Sequence, residues 1–203
     1  MIKKIDFLFF GWIVHLFYPE YYRPKYGYQR YYILFFHYLI PQKLCRLNPR
    51  VRWPVHFTSK VLAPERIQKG VLCDPGDNHN NYIQANNGII FGSNIELGPG
   101  VSIISSNHES DNLRAHTKGK PIVIGNHVWI GANSTILPEV SIGNNVIIGA
   151  NSLVNKDIPS NSVAVGNPCK VIKQKEAYTE DLSQIIFSKK IPKKFSDFLN
   201  VNA

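Results

Sequence analysis

The feature that most constrains this chain is a six-residue repeat. Counting in sixes from Ile124 meets Ile124, Ile130, Ile136, Ile142, Ile148 and Val154, every one aliphatic and β-branched. With 44% hydrophobic residues overall, six apolar hits in one phase would arise about 0.7% of the time, and restriction to two residue types lowers that further. The next position of each hexad is Gly125, Gly131, Leu137, Gly143, Gly149 and Asn155; the fifth is Val128, Ser134, Val140, Val146, Ser152 and Ile158. Each hexad thus supplies a short strand with an inward aliphatic residue, then a turn that glycine or asparagine can enter at positive φ. Three hexads make one coil of a triangular β-solenoid, with the aliphatic residues stacked in columns inside it.

An earlier block keeps the rule in another phase, at Phe91, Leu97 and Ile103. Stepping back in sixes meets Ala85, His79, Cys73, Ile67, Val61 and Val55, a degenerate repeat that reaches towards residue 55. From Ile103 to Ile124 is 21 residues, three more than a whole number of hexads. A loop over residues 109–121 therefore leaves the solenoid, and long excursions from a tight repeat are usually functional. The repeat ends after Val171. The tail, residues 173–203, reads as a polar helix over 177–188 followed by Pro192 and an amphipathic stub.

The first sixty residues have a different composition. They hold ten Lys and Arg against two acids, Asp6 and Glu20, and 17 of the 24 aromatic residues. That segment carries +8 of the net +9. Two apolar runs, residues 7–18 and 31–40, are far shorter than the ~20 residues of a bilayer span. Pro19, Glu20 and Tyr21 follow the first run where a secretory signal would carry a small-residue cleavage site. The second run stops at Pro41. Residues 1–55 are therefore expected to be a helical, aromatic and basic extension. It either packs on a hydrophobic wall or rests on anionic lipid headgroups. No nucleic-acid recognition motif accompanies the charge. The three cysteines, Cys45, Cys73 and Cys169, are scattered and odd in number, which argues for a reducing compartment rather than a disulfide framework.

The stretch from Gly119 to Lys173, with VWIGA at 128–132, NKDIP at 155–159, GNPCKVI at 166–172 and NHESDN just before it at 107–112, resembles the hexapeptide-repeat O-acetyltransferases. These include the maltose and galactoside acetyltransferases and those of capsule and lipopolysaccharide synthesis. The resemblance reaches back to about Asn78 and does not cover residues 1–50. It implies an all-β solenoid, a left-handed parallel β-helix over residues 56–172, in a cytoplasmic homotrimer with active sites in clefts between subunits. It implies acetyl-CoA as co-substrate, no metal, and a saccharide acceptor.

By resemblance His108 matches the catalytic histidine, and an imidazole with an ordinary pKa of ~6.5 suits a general base. Asn78, thirty residues earlier, matches an asparagine that contacts the acetyl donor. Asn86 stands where sugar-acetylating relatives carry an acceptor-binding aspartate. Glu109 and Asp111 either orient His108 or bind acceptor hydroxyls. Trp129, Ala132, Ala150, Asn155, Lys156, Lys170 and Lys173 match the coenzyme A groove, where small residues admit the pantetheine chain and lysines meet phosphates. His116 and His127 are read as solvated, and His79 as inward or in a turn beside the cleft. Cys169 is read as an apolar filler, which favours direct attack over an acyl-enzyme.

Three other readings fit the sequence less well. A zinc carbonic anhydrase on this scaffold needs three converging histidines at a spacing absent here. A non-catalytic trimeric scaffold would not need His108 and the lysines together. An N-acetyltransferase acting on a nucleotide-linked amino sugar usually carries a nucleotide-binding α/β domain in front of the solenoid, and residues 1–60 show no such pattern.

Overall fold

The computed structural model describes residues 6–18 and 30–179. Residues 60–165 wind into a three-faced parallel β-helix. The first face stacks β1 (Lys60–Leu62), β3 (Tyr82–Gln84), β6 (Ser102–Ile104), β9 (Thr135–Ile136) and β12 (Leu153–Val154). The second stacks β2 (Ile67–Gln68), β4 (Ile89–Phe91), β7 (Ile122–Ile124) and β10 (Ser141–Ile142). The third stacks β5 (Ile95–Leu97), β8 (Val128–Ile130), β11 (Val146–Ile148) and β13 (Ser162–Val165), and closes with β14 (Lys170–Gln174), antiparallel to β13.

Register gives the coil length directly. Val123 pairs with Ser141, Trp129 with Ile147 and Thr135 with Leu153, eighteen residues apart each time. Three hexads therefore do make one turn. Across the interruption the partners are Ile89 with Ile122, Ile95 with Val128 and Ser102 with Thr135, thirty-three apart, so fifteen residues are inserted without a change of register.

All six residues of the Ile/Val column are buried, and so are their fifth-position neighbours from Val128 to Ile158. The degenerate repeat holds as well, with Val55, Val61, Cys73 and Ala85 in the same core and Ile67 packed against it. His79 is the exception: it sits exposed in the turn before β3.

The repeat glycines are explained by space and not, as expected, by positive φ. A Cβ on Gly131 would lie 2.5 Å from the Ala150 amide nitrogen, and one on Gly98 would lie 2.6 Å from that of Ala132. The left-handed backbone falls two residues later, at Asn94, His127, Asn133, Asn145 and Asn151. Asparagine tolerates that conformation better than other residues with a Cβ.

Among the described residues, the two apolar runs of the N-terminal segment are helical. A π-helical turn (Phe7–Gly11) runs into α1 (Trp12–Phe17), and α2 (Tyr31–Ile33) runs into a π-helical stretch (Leu34–Leu44). The second run thus continues through Pro41 rather than stopping there. No helix among the described residues is long and apolar enough to cross a membrane. The two segments bury Val14, Tyr18, Leu34, Tyr38 and Leu39 in a small core of their own.

One buried side chain ties that core to the solenoid. Gln42, 1% exposed, accepts from the Tyr18 hydroxyl at 2.8 Å and the Val55 amide at 3.1 Å. It donates to the carbonyls of Val51 at 2.9 Å and Trp53 at 3.1 Å. Val51, Trp53 and Val55 already belong to the solenoid core, so the extension gives way to the solenoid near residue 51. At the other end, the strand β14 occupies the start of the expected tail. Residues 177–179 are not helical, and the rest of the expected helix lies outside the described residues. The three cysteines are unpaired.

Two outcomes follow from this packing. Gln42→Leu removes four hydrogen bonds and strands three buried polar groups, so urea unfolding should show a loss of about 2–3 kcal/mol. His56 is buried beneath Tyr38, Phe57 and His79. Burial first, then the charges of His79 and His37, lowers its pKa from 6.5 to about 4. Since the unfolded chain binds this proton more readily, stability is complete above pH 6.5 and falls as the pH drops towards 4. Thermal melts should show a shallower acid-side decline in His56→Gln than in wild type.

Candidate active site

The fifteen inserted residues fold into a small hairpin whose base is bolted to the coil. Ser105 and Ser106, which lead out of β6, are buried, and both donate their amides to Oε1 of Gln84 at 3.1 Å. Gln84 returns a hydrogen bond from Nε2 to the Ser106 carbonyl at 3.1 Å. Asn87 donates from Nδ2 to the carbonyls of Ser105 at 3.0 Å and Thr117 at 2.9 Å, which clamps the two ends of the loop together. Thr117 donates its amide to the Asn107 carbonyl at 2.8 Å, and Glu109 donates its amide to Ala115 at 3.1 Å.

These bonds put His108 and His116 opposite each other on the two arms, with ring centroids 4.5 Å apart and planes 33° apart. Both imidazoles are exposed. His116 is thus solvated, as expected, and is in addition paired with His108 across the hairpin. Glu109 is half-buried and Asp111 is exposed near the tip; among the described residues neither carboxylate hydrogen-bonds to the His108 ring.

The other expected residues divide between the two edges of the first face. Residues that follow its strands share an edge with His108. Asn86 follows β3, half-buried, and its carbonyl accepts from the Arg66 guanidinium. Asn155 and Lys156 follow β12 and are exposed.

Residues that precede the strands lie on the opposite edge. Asn78 caps the corner above Gly98: its Nδ2 donates to the Leu97 carbonyl at 3.2 Å, and its Oδ1 accepts from the His79 amide at 2.9 Å. Below it the corners stack as a ladder, with Asn133 donating to Pro99 and Asn151 donating to Ala132, each at 2.8 Å. Ala132 and Ala150 therefore sit on successive rungs. At ~4.8 Å per rung, the track from Asn78 to Ala150 is about 14 Å long. Trp129, 55% exposed, stands outward on the neighbouring face. At the foot of the ladder Lys170 and Lys173 are exposed on β14, with Lys173 opposite Val163.

His127 departs from its reading. It is half-buried rather than solvated, stacked on Tyr178 at 3.8 Å with its Nδ1 3.0 Å from Nδ2 of Asn94. Among the described residues no three His, Cys, Asp or Glu side chains gather as a metal site would require.

Within one chain, then, an exposed imidazole occupies one edge of the first face, and a narrow track of small residues ending in cations occupies the other. A track without bulky side chains lets an extended acyl carrier lie against the backbone, and an exposed imidazole can take a proton from an incoming hydroxyl. The hairpin supports were not legible in the chain. Gln84, Asn87 and Thr117 are ordinary polar residues until the fold brings residues 18 to 30 positions apart into contact. The one available signal was the pair of histidines flanking a turn-rich DNLR segment.

Residues 121–156 match the model of the bacterial transferase hexapeptide (six repeats). A Saccharomyces cerevisiae relative is 42% identical over 121 residues, 53% of this chain and 62% of its own length. The galactoside O-acetyltransferase of Escherichia coli is 42% identical over 89 residues, 42% of this chain and 44% of that protein. The chain thus spans less than two thirds of the length of the relatives it matches. The solved structure of a maltose O-acetyltransferase from Clostridium difficile superposes over 87% of this chain and 89% of that one, with a TM-score of 0.52 and 25% identity. Residues 121–156 thus match the transferase hexapeptide repeat, and residues 60–165 form a left-handed parallel β-helix similar to that of the maltose and galactoside acetyltransferases.

Proposed function

We propose that the protein transfers an acetyl group from acetyl-CoA to a saccharide hydroxyl, in cytoplasmic steps of surface polysaccharide assembly such as capsule or lipopolysaccharide synthesis. One observation carries this reading. His108 and the Asn78–Ala132–Ala150 track lie on opposite edges of one face, so a single chain holds two halves of a site and no whole one. A ring of three copies would set the His108 edge of one against the track of the next, as closed heterologous interfaces do. The names of the galactoside and maltose relatives support a sugar hydroxyl as acceptor.

In this reaction His108 takes the acceptor proton as the hydroxyl oxygen attacks the thioester carbonyl. Asn78, from the neighbouring copy, supplies an amide to the oxyanion, and its side chain is already held by Leu97 and His79. Collapse of the tetrahedral intermediate breaks the C–S bond, and the departing thiolate recovers the proton from His108. Lys170, Lys173 and, across the interface, Lys156 meet the phosphates of the coenzyme as point charges. Asn155 and Trp129 flank that groove, and Asn86, Glu109 and Asp111 face the acceptor. Direct transfer is favoured over a cysteinyl intermediate, because burial raises the pKa of the Cys169 thiol and leaves it a weak nucleophile at neutral pH.

Thiol release from acetyl-CoA against a panel of free, nucleotide-linked and lipid-linked saccharides tests the chemistry. His108→Ala should lower acceptor-dependent turnover by ~10²–10⁴-fold while leaving the melting temperature unchanged. Turnover that survives the substitution would remove His108 from the mechanism. A second experiment tests the shared site. His108→Ala and Asn78→Ala subunits, each inactive alone, should regain activity when co-expressed, because some interfaces then pair an intact His108 with an intact Asn78. A site complete within one chain would show no such recovery.

A further inference from the structure

The N-terminal helical segments carry more apolar surface than their own core uses. On the first segment Gly11, Val14 and Tyr18 face inward and are buried. On its opposite side Leu8, Trp12 and Leu16, spaced by four residues, are 68%, 60% and 67% exposed. Phe36, on the second segment, is 51% exposed and meets the first through Phe10 at 5.7 Å. A helix that is apolar on both sides normally has both sides covered. Exposed apolar surface of this extent marks a site of contact.

Charge says what covers it. Where the second segment ends, Leu44 is 78% exposed, and Arg46, Arg50 and Arg52 follow, all exposed. Only two acids occur in the first sixty residues. One of them, Asp6, is spent as a helix cap, accepting the amides of Tyr31 at 2.8 Å and Tyr32 at 2.9 Å. A second copy of this chain would bring another strongly basic surface against the first. An anionic surface meets no such repulsion.

We propose that this face docks on the anionic headgroups of a lipid bilayer. Leu8, Trp12 and Leu16 enter the headgroup–acyl boundary, and Arg46, Arg50 and Arg52 pair with lipid phosphates. The described helical segments are too short to span the ~30 Å hydrocarbon layer, so they lie in the plane of the interface. This surface is remote in sequence from His108 and the small-residue track. The proposal does not depend on the transfer reaction.

Flotation of the full chain with vesicles tests it, using phosphatidylcholine alone and an equal mixture with phosphatidylglycerol. The protein should float with the mixture, remain behind with phosphatidylcholine alone, and be released by high salt. A triple variant, Leu8→Ser, Trp12→Ser and Leu16→Ser, should lose binding. Arg46→Glu with Arg50→Glu should weaken it by about tenfold or more, while Arg46→Lys with Arg50→Lys retains it. If the serine variant melts early, the charge variants and the salt titration decide the matter. Three results would overturn the proposal: no flotation of the wild type, undiminished flotation of the folded serine variant, or a smaller oligomer in that variant with vesicle binding unchanged. The last would assign the face to self-association.

Discussion

At the glycine corners coil stacks on coil so closely that no side chain fits between them. A hypothetical Cβ on Gly131 would lie only 2.5 Å from the Ala150 backbone nitrogen, so the strand end there is locked to the one below it. Backbone bonds such as Gly131 to Ile148 and Gly149 to Ala164, each 2.8 Å, run through these contacts. The small-residue track is a by-product of that stacking. Beside two of these glycines Ala132 and Ala150 are small as well, and they keep one edge of the first face low. A groove suited to an extended acyl carrier thus arises from a packing requirement before any chemistry is demanded of it.

The same constraint decides where an insertion can go. Fifteen residues enter after β6, yet Ser102 still pairs with Thr135 in the register used by the strands on either side. A strand could not absorb them without breaking three stacked sheets. A corner can, provided that the two ends of the inserted loop are tied back. Asn87 supplies that tie, holding Ser105 and Thr117 at once. His108 thereby gains freedom from the repeat while its loop keeps a rigid footing, as the proposed general-base role would require.

Residues that obey a period were legible in the chain, and residues that answer to tertiary contacts were not. The Ile124-to-Val154 column, the coil of three hexads and the interruption near His108 all follow from spacing, because burial in a solenoid recurs by position. The role of the repeat glycines was misread: turn chemistry predicts positive φ, but the shortage of space between coils is a property of the stacked object and invisible in one coil. His116 and His127 show the same limit from two sides. One faces His108 because of a hairpin whose pairing no period announces. The other lies under Tyr178, just over fifty residues away in the chain. Gln42 was equally silent, since a glutamine in an aromatic run gives no sign that four buried groups converge on it.

Height along the solenoid axis links the two half-sites. His108 leaves the coil to which Gly98 and Pro99 belong, and Asn78 sits one rung above that same corner, bonded to Leu97. The two edges are therefore set one rung apart, and their relative height cannot drift without a change in the twenty-residue turn that pairs Tyr82 with Ser102. In the threefold arrangement proposed above, that fixed offset within one chain would recur between two. The coil period, which builds the fold, would then also fix the height of the imidazole of one copy against the amide of the next.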